Sequence, residues 1–445
     1  MIRRNSFFGL LGFAVPVLVL LISYPVLIRH LGMARLGIYL LATSMSGALA
    51  FLDAGFSAAT LKFIAEDLAQ GRRQSAAEVL AASMWFYGAA GLAGGLVLAA
   101  ASPWLVGVFK IQPGLRGEAL WTFRLASVQF AVFFMLTVFI SLFKGMHRFH
   151  LSTLSLSLLS VLTYGGAVLA VLFAHAGLMG ITAVGVAANA MVLAGSAVVG
   201  LRLCGTAGIH PFTARPSWEV YKRMLGFGSA MLINGFASLL QNQIQRYIIG
   251  IALGPAAVGI YQTASVAPGK IHAAVNAATE VMFPLSAGAS DRRSLRRTYL
   301  QMLAATVVCA GLAFPLLILA GPWFLSVWLR ENNSPELRPL LMIFAIAYFF
   351  LALTPPPYHL LNGMGKPWIN TLFFAITASL NVTMIGVSWV FGISLAGIAW
   401  AYTIAVLCSV PAYYLTVERS IWAGSPCQRA GENACSVQRQ AANKA

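Results

Sequence analysis

Long apolar runs recur along the whole chain and constrain its fold more than any other feature. A transmembrane helix needs about 20 consecutive, mostly apolar residues to cross a hydrocarbon core of about 30 Å. Backbone amides in lipid must bond within their own segment, so runs of this length predict helices and not open sheets. We place twelve spans, at residues 6–28, 36–58, 78–101, 119–143, 150–174, 177–201, 224–250, 256–284, 298–328, 337–361, 367–391 and 393–417.

The composition excludes a soluble globular protein. Such a protein carries about a quarter charged residues, because it must cover its core with solvated groups. Here only 9% of the 445 residues are charged and 59% are hydrophobic. Most of the surface must therefore face lipid, and we predict an all-α integral membrane protein with little mass outside the bilayer.

The basic residues predict the orientation of the chain in the membrane. A net charge of +17 would suggest nucleic acid as the partner of a soluble protein. In membrane proteins, however, Lys and Arg collect in cytoplasmic loops. Of the 29 basic residues, 20 fall in the termini and the loops on their side, 6 fall in the opposite loops, and Arg124, Arg246 and Lys270 fall within spans. This asymmetry predicts two cytoplasmic termini and no nucleic-acid partner, and the first apolar run is predicted to be a retained helix.

An internal repeat divides the sequence into two halves. Leu31–Tyr39 matches Leu253–Tyr261 at six of nine positions, with an offset of 222 residues. Gly145-Met146 recurs as Gly363-Met364 with an offset of 218, and a Leu-x-Gly-Ile motif at position 178 recurs at 395 with an offset of 217. The three matches follow the first, fourth and fifth spans of each half, so each half is predicted to contain six spans.

An even number of spans gives both halves the same orientation. Transporters with this build place the substrate site between the halves and alternate its access by rocking one half against the other. A duplicated bundle with another role is the alternative. The predicted organisation is an N-terminal lobe, a cytoplasmic linker, a C-terminal lobe and a cytoplasmic polar tail that we expect to be disordered, at residues 1–205, 206–223, 224–417 and 418–445.

Sites for other chemistry are not predicted. The five cysteines have neither a metal-ligand spacing nor a disulfide pattern. No phosphate-binding loop or nucleophile motif occurs. We therefore expect no metal, no cofactor and no enzymatic activity.

Four segments resemble a known family of transporters. Residues 25–39 and 51–65 resemble the opening of its members, residues 245–261 resemble the start of their second half, and residues 360–367 are similar to the loop between spans ten and eleven. The family is the polysaccharide transporters of the O-antigen flippase type, within the multidrug/oligosaccharidyl-lipid/polysaccharide (MOP) exporter superfamily. The chain departs from it at residues 242–245, where the family often has an aspartate.

The resemblance implies a MATE-like MOP fold, in which about twelve transmembrane helices form two pseudo-repeated six-helix lobes around a central cavity. It also implies a function, the flipping of an undecaprenyl-pyrophosphate-linked oligosaccharide for surface polysaccharides such as lipopolysaccharide or exopolysaccharide. The implied location is the bacterial inner membrane. The partners are then the lipid-linked oligosaccharide, membrane lipids and other polysaccharide-assembly proteins.

Polar residues follow one face of span eight and one face of span seven. On span eight, Gln262, Ser265, Gly269, His272, Asn276 and Glu280 are three or four residues apart, as on one side of a helix. The matching line on span seven consists of Asn234, Ser238, Gln241 and Gln245. Because polar groups inside a membrane are costly, both faces are predicted to line a hydrated cavity.

The predicted substrate site is cationic. Guanidinium groups suit phosphate oxygens, so a pyrophosphate is expected to contact basic residues in or near spans, while amides and the imidazole bond the sugars. These candidates are Arg246, Lys270, Arg124, Arg29, Asn234, Gln241, Gln245, His272 and Asn276. For Arg29, Arg124 and Arg246 the alternative is that they extend to the outer interface from helix ends.

Two acids are candidates for ion coupling, Asp53 and Glu280. Burial can raise the pKa of a carboxyl group into a useful range. The alternatives are an interface pair of Asp53 with Lys62, and of Glu280 with the arginines at 292–297.

Three other functions compete with the flippase. An ion-coupled exporter of cationic small molecules from the same superfamily should have an acidic cavity, whereas the basic residues here outnumber the acids. A polytopic glycan polymerase or ligase should have a large external loop, and the longest one here is 102–118. A relative of the flippases that does not transport is the third.

Overall fold

The chain is built of helices joined by short turns. The structure, a computed structural model, describes residues 2–53, 55–287, 292–330 and 334–421, and it contains no strand in these ranges. The α-helices are α1 Ile2–Ala48, α2 Phe56–Ala69, α3 Arg73–Val108, α4 Arg116–Gly145, α5 Phe149–Ser160, α6 Gly166–Ala174, α7 Leu178–Ala207, α8 Trp218–Ala252, α9 Pro255–Thr279, α10 Met282–Ala287, α11 Arg292–Leu329, α12 Leu337–Ala352, α13 Pro355–Gly363, α14 Pro367–Val390 and α15 Leu395–Ile421.

The observed helices match the predicted spans closely. Nine stretches of the described residues are long and apolar enough to cross a membrane. One of them is α1, which Gly32 divides into two spans because its φ of 75° is not helical. Helices α8 and α9, with 35 and 25 residues, are also long enough but carry the polar faces. With these counted, twelve spans result, as predicted.

The outer surface of the bundle is apolar. Large side chains such as Phe173, Leu319 and Phe391 are 79%, 81% and 85% exposed. An apolar surface of this extent is unfavourable in water. It is the surface expected of helices that face lipid.

The second span ends earlier than predicted. We expected residues 36–58 to form one span, but a 3₁₀ turn at Leu49–Asp53 ends it and α2 begins at Phe56. Gly55 has a φ of 74°, which glycine adopts without strain, and a Cβ there would come within 2.6 Å of the Gly228 Cα on α8. The turn and the close approach both require glycine, and the chain changes direction here.

Helix α2 follows in a region where a loop was predicted. Its buried residues are spaced as on one helical face: Phe56, Ala59, Thr60, Phe63, Ile64 and Asp67. The other side includes Ser57, Lys62 and Glu66, which is why the stretch does not look like a span. A similar early end occurs in span ten, where Pro355 starts the separate helix α13.

The two copies of the nine-residue motif contact each other at the seam between the halves. A Cβ on Gly37 would overlap the carbonyl oxygen of Pro255, and a Cβ on Gly259 would lie 2.5 Å from the carbonyl oxygen of Met33. Gly37 corresponds to Gly259 in the repeat, and Met33 corresponds to Pro255. The contact is therefore reciprocal, as across a two-fold axis. It allows α1 and α9 to pack backbone against backbone.

The second repeated motif also has the same surroundings in both halves. A Cβ on Gly145, at the end of α4, would lie 3.1 Å from the Leu61 carbonyl oxygen and the Ile64 side chain on α2. The equivalent Gly363, at the end of α13, packs in the same way against Phe283 and Ser286 on α10. Short α10 is therefore the counterpart of α2, and the repeat seen in the sequence is a repeat of structure.

A buried carboxylate connects α2, α3 and α8 at the end of the bundle that is predicted to be cytoplasmic. Asp67 is fully buried and accepts hydrogen bonds from Arg72 Nε at 3.0 Å, Arg72 Nη2 at 2.5 Å and Ser75 Oγ at 2.6 Å. The Arg223 guanidinium on α8 approaches it to 3.7 Å. Arg223 thus connects the N-terminal half to the first turns of α8.

Candidate functional site

A cavity of about 370 Å³ lies at the seam between the halves, and we call it the central cavity. Its walls come from α1, α8, α9, α12 and α15, together with Tyr164 from a π-helical turn at Val161–Gly165 that joins α5 to α6. Gln262, Ser265 and Gly269 from the span-eight face line it. Both halves of the repeat therefore contribute to this cavity.

Two basic side chains face the central cavity, those of Arg246 on α8 and Lys270 on α9. Both are partly buried, and Nε of Arg246 is buried without a hydrogen-bond acceptor in the described part of the chain. The next residue, Tyr247, fixes α8 by donating a hydrogen bond of 2.7 Å to the Ser44 carbonyl oxygen on α1. The described lining includes no acid, so the cavity is positively charged.

Aromatic residues surround these two charges, and the sequence reasoning did not identify them. Five tyrosines line the cavity: Tyr24, Tyr164, Tyr261, Tyr348 and Tyr402. Tyr261 packs edge-on against Phe344 with ring centroids 4.8 Å apart. A tyrosine within an apolar span follows no spacing that would distinguish a position lining a cavity from a position in the core. The only available signal was the place of Tyr261 in the repeated motif, from which only the division into two halves was predicted.

The predicted amide Gln245 lies in the same cavity. It is 6% exposed and precedes Arg246 on α8. Two other predicted amides on that helix, Asn234 and Gln241, have side chains outside the described residues. Their role in binding therefore stays a prediction.

The C-terminal part of the span-eight face, which consists of His272, Asn276 and Glu280, lies outside the central cavity. The His272 ring is 6.0 Å from the ring of Tyr348, and its buried Nδ1 has no hydrogen-bond partner in the described residues. Asn276, further along α9, and Glu280, directly after the last residue of α9, are exposed. Pro268 lies inside α9, just before Gly269, and a proline inside a helix bends it. Spacing alone therefore does not keep all six residues on one surface.

Arg29 and Arg124 also lie away from the central cavity. Arg29 is exposed. The Arg124 guanidinium lies 5.1 Å from the ring centre of Trp121, which is itself 50% exposed. A basic group over an exposed tryptophan is the arrangement expected at a membrane interface.

A second, larger cavity lies within the N-terminal half, and we call it the N-terminal cavity. It has a volume of about 700 Å³ and is lined by α1, the 3₁₀ turn that ends at Asp53, α2, α4, α5, the π-helical turn and α7. Leu40, Thr43 and Tyr164 line both cavities, so the two adjoin each other. No residue of the C-terminal half contributes to its described lining.

Asp53 faces the N-terminal cavity and not Lys62. Its carboxylate accepts hydrogen bonds from the Tyr87 hydroxyl and from Ser57 Oγ, the latter at 2.9 Å. The Lys62 ammonium instead lies 4.2 Å from the ring centre of Phe227 on α8. These contacts show Asp53 fixing the start of α2 and leave its predicted role in ion coupling untested.

Comparisons with known proteins agree on a family of transporters. Residues 2–290 match the model of a family described as "Polysaccharide biosynthesis protein". A Shigella flexneri protein described as "Putative O-antigen transporter" is 22% identical over 378 residues, which are 83% of this chain and 87% of that protein.

Solved structures of MOP superfamily transporters share the fold. An inward-facing multidrug resistance MATE family transporter has a TM-score of 0.72 at 14% identity, covering 93% of this chain and 98% of its own. An outward-facing structure from the same family has a TM-score of 0.63 at 16% identity, covering 95% of both chains. These similar proteins are transporters and not enzymes, and the chain has their multi-pass membrane fold.

Proposed function

Because the chain belongs to the polysaccharide biosynthesis protein family, we propose that it is a flippase for a lipid-linked oligosaccharide. The observation that carries the proposal is that Arg246 and Lys270 face one cavity at the seam between the halves. The name of the Shigella flexneri relative, an O-antigen transporter, supports a glycan substrate. The lipid carrier we propose is undecaprenyl pyrophosphate.

The charge of the central cavity suits a pyrophosphate. Charges attract one another more strongly inside a protein than in water, because the surroundings screen them less. Arg246 offers a planar fork of donors that matches phosphate oxygens, and Lys270 offers a compact charge with three donors. Since no described lining residue is acidic, neither cation is neutralised within the cavity.

The neutral lining can hold the sugar next to the pyrophosphate. The tyrosine rings offer apolar faces, and their hydroxyl groups offer donors and acceptors. Gln245 and Gln262 add amide groups to the same surface. We propose that these residues, together with the predicted Asn234 and Gln241, bond the sugar hydroxyls.

The division into two repeated lobes supports a mechanism by which the substrate is moved across the membrane. Lobes formed by residues 1–205 and 224–417 would rock against each other and open the central cavity to one side of the membrane at a time. The charge pattern supports a location in the inner membrane with both termini in the cytoplasm. The glycan would then enter from the cytoplasm and leave on the opposite side.

The competing export of cationic small molecules fits the central cavity less well. A cationic substrate requires an acid near its charge, since an unpaired charge out of water is costly. The described lining of the central cavity has two basic residues, Arg246 and Lys270, where such a substrate would require an acid. Asp53 is in the neighbouring cavity and Glu280 is exposed.

Removal of the two cations tests the proposed function. We expect Arg246→Ala and Lys270→Ala each to lower surface polysaccharide about tenfold or more in a deletion strain, because a hydrogen bond to a charged group contributes about 1.5–3 kcal/mol. Lys270→Arg should have a milder effect since it keeps the charge. The measurement is the amount of surface polysaccharide, at equal protein levels in the membrane.

The matched control is Arg338→Ala. It removes the same charge from an exposed position at the start of α12, outside both cavities. We expect wild-type polysaccharide from this variant. If both cavity variants also support normal export, the proposed role of the cationic cavity is wrong.

A further inference from the structure

The N-terminal cavity has three buried oxygen atoms without partners. Gln129 Oε1, Thr163 Oγ1 and Asn189 Oδ1 are buried and accept no hydrogen bond from a described residue. The Asn189 side chain is 2% exposed and the Thr163 side chain 7% exposed, and all three residues line this cavity. A buried polar group that makes no hydrogen bond is costly, so its presence requires a reason. Each of these atoms can accept a hydrogen bond from a ligand.

Local structure brings these atoms together from three separate segments. Asn189 donates a hydrogen bond of 2.8 Å from Nδ2 to the Gly185 carbonyl oxygen, one turn earlier on α7. Gln129, on α4, packs against the same glycine, where a Cβ would lie 3.2 Å from its Oε1. Thr163 lies in the π-helical turn, and such turns occur frequently at functional sites.

The rest of the lining combines aromatic, polar and charged groups. Phe130, Phe133, Phe134 and Tyr39 contribute rings, Ser141 and Thr137 contribute hydroxyl groups, and Asp53 and Lys144 contribute one charge of each sign. A sugar ring has apolar C–H faces that pack on aromatic rings, and its hydroxyl groups donate to oxygen acceptors. An acyl chain would leave the three oxygens unsatisfied. The volume of about 700 Å³ is within the range of small-molecule sites, about 300–1,000 Å³.

We infer that the N-terminal cavity is a subsite for the outer sugars of the glycan, with Gln129, Thr163 and Asn189 as acceptors for sugar hydroxyl groups. The inference rests on the proposed function, because the pyrophosphate and the first sugar would occupy the adjoining central cavity. The shared residues Leu40, Thr43 and Tyr164 lie at the boundary between the two cavities. The glycan would thus be bound mainly by one lobe.

The test compares two substrates in proteoliposomes. One is undecaprenyl pyrophosphate with a single N-acetylglucosamine, and the other is the complete lipid-linked oligosaccharide of the source strain. The variant is Gln129→Met combined with Asn189→Leu, which replaces two acceptors by apolar groups of similar size. We expect the ratio of oligosaccharide to single-sugar transport to fall about tenfold. Thr163→Val alone should shift the ratio in the same direction, and it provides a milder variant if the double one does not fold.

The matched control is Asn381→Leu on α14. Asn381 is fully buried, and neither its Nδ2 nor its Oδ1 has a hydrogen-bond partner in the described residues, but it lines neither cavity. The chemical change equals that at Asn189, so this variant should keep the wild-type ratio. Thermal stability of Asn381→Leu should equal or exceed that of the wild type, because two unsatisfied polar atoms are removed, whereas Asn189→Leu also loses the hydrogen bond to the Gly185 carbonyl oxygen.

The possible outcomes separate the inference from the proposed function. If the N-terminal cavity variants lose transport of both substrates equally, or of neither, the subsite is refuted while the flippase function stands. A control that changes the ratio as much as the cavity variants also refutes the subsite. A wild-type protein that moves neither substrate overturns the proposed function, and the subsite with it.

Discussion

Replacing Gly37 by alanine is expected to lower glycan export at least tenfold while the protein still reaches the membrane. The new Cβ would overlap the carbonyl oxygen of Pro255. Both are fixed by the backbone, so no rotation of a side chain relieves the overlap, and α1 and α9 must separate at the seam. Any conformation with this seam closed is disfavoured, and the proposed alternating access requires that it close once in each cycle. Surface polysaccharide in a deletion strain measures the effect.

The reciprocal contact supplies a second variant and a control. Gly259→Ala should reproduce the loss, because its Cβ would lie 2.5 Å from the carbonyl oxygen of Met33. Gly117→Ala, at the start of α4, is the control, since a Cβ there meets nothing within 4 Å. Normal export by both seam variants would show that the seam need not close.

Chemical labelling checks the cause of the loss. With the five cysteines replaced by serine, a Met33→Cys substitution places one thiol at the seam. We expect a membrane-impermeant maleimide added from outside to label it faster in the Gly37→Ala background.

The membrane-spanning helices and the repeat could be predicted because they leave periodic signals. An apolar run of about 20 residues has few alternatives to a span. The offset of 222 residues was visible in the motif around Gly37 and Gly259, and the structure shows why this motif persists in both halves. Helix α2 was missed, because its charged side gives it the composition of a loop and its burial against α8 depends on distant residues.

The two cavity cations could be predicted because a charge within a span is costly and requires a polar environment. The sequence could not separate Arg246 from Arg124, since both lie near helix ends. Only the position of each side chain shows that Arg246 faces the central cavity and Arg124 faces Trp121. The direction in which a side chain near a helix end points depends on packing between helices, which spacing does not reveal.

The N-terminal cavity could not be predicted from the sequence at all. Gln129, Thr163 and Asn189 are single polar residues on three different spans, and single polar residues are common in membrane helices. Their proximity depends on Gly185, which allows α4 and α7 to approach. The π-helical turn that carries Thr163 has no pattern of its own in the sequence.

Replacing Asp67 by asparagine is expected to lower the free energy of unfolding by about 2 kcal/mol. Asp67 is fully buried, and its carboxylate accepts three hydrogen bonds from Arg72 and Ser75. Asparagine has the same shape but no charge, so the bonds to the guanidinium weaken, and bonds to charged groups contribute about 1.5–3 kcal/mol. Arg72 is 46% exposed, and water therefore compensates part of the loss. The midpoint of thermal unfolding in detergent micelles provides the measurement.

Glu66→Gln is the matched control, because it removes the same charge from the neighbouring residue of α2. Glu66 is 39% exposed and lies 3.5 Å from the guanidinium groups of both Arg72 and Arg223. Exposed pairs of this kind contribute about 0.2–1 kcal/mol, so we expect a small shift in the unfolding midpoint. Equal shifts of the unfolding midpoint in the two variants would mean that the burial of Asp67 does not strengthen its contribution to stability. A larger shift for Asp67→Asn would show that burial strengthens the bonds of this carboxylate to Arg72 and Ser75, which hold α2 against the start of α3.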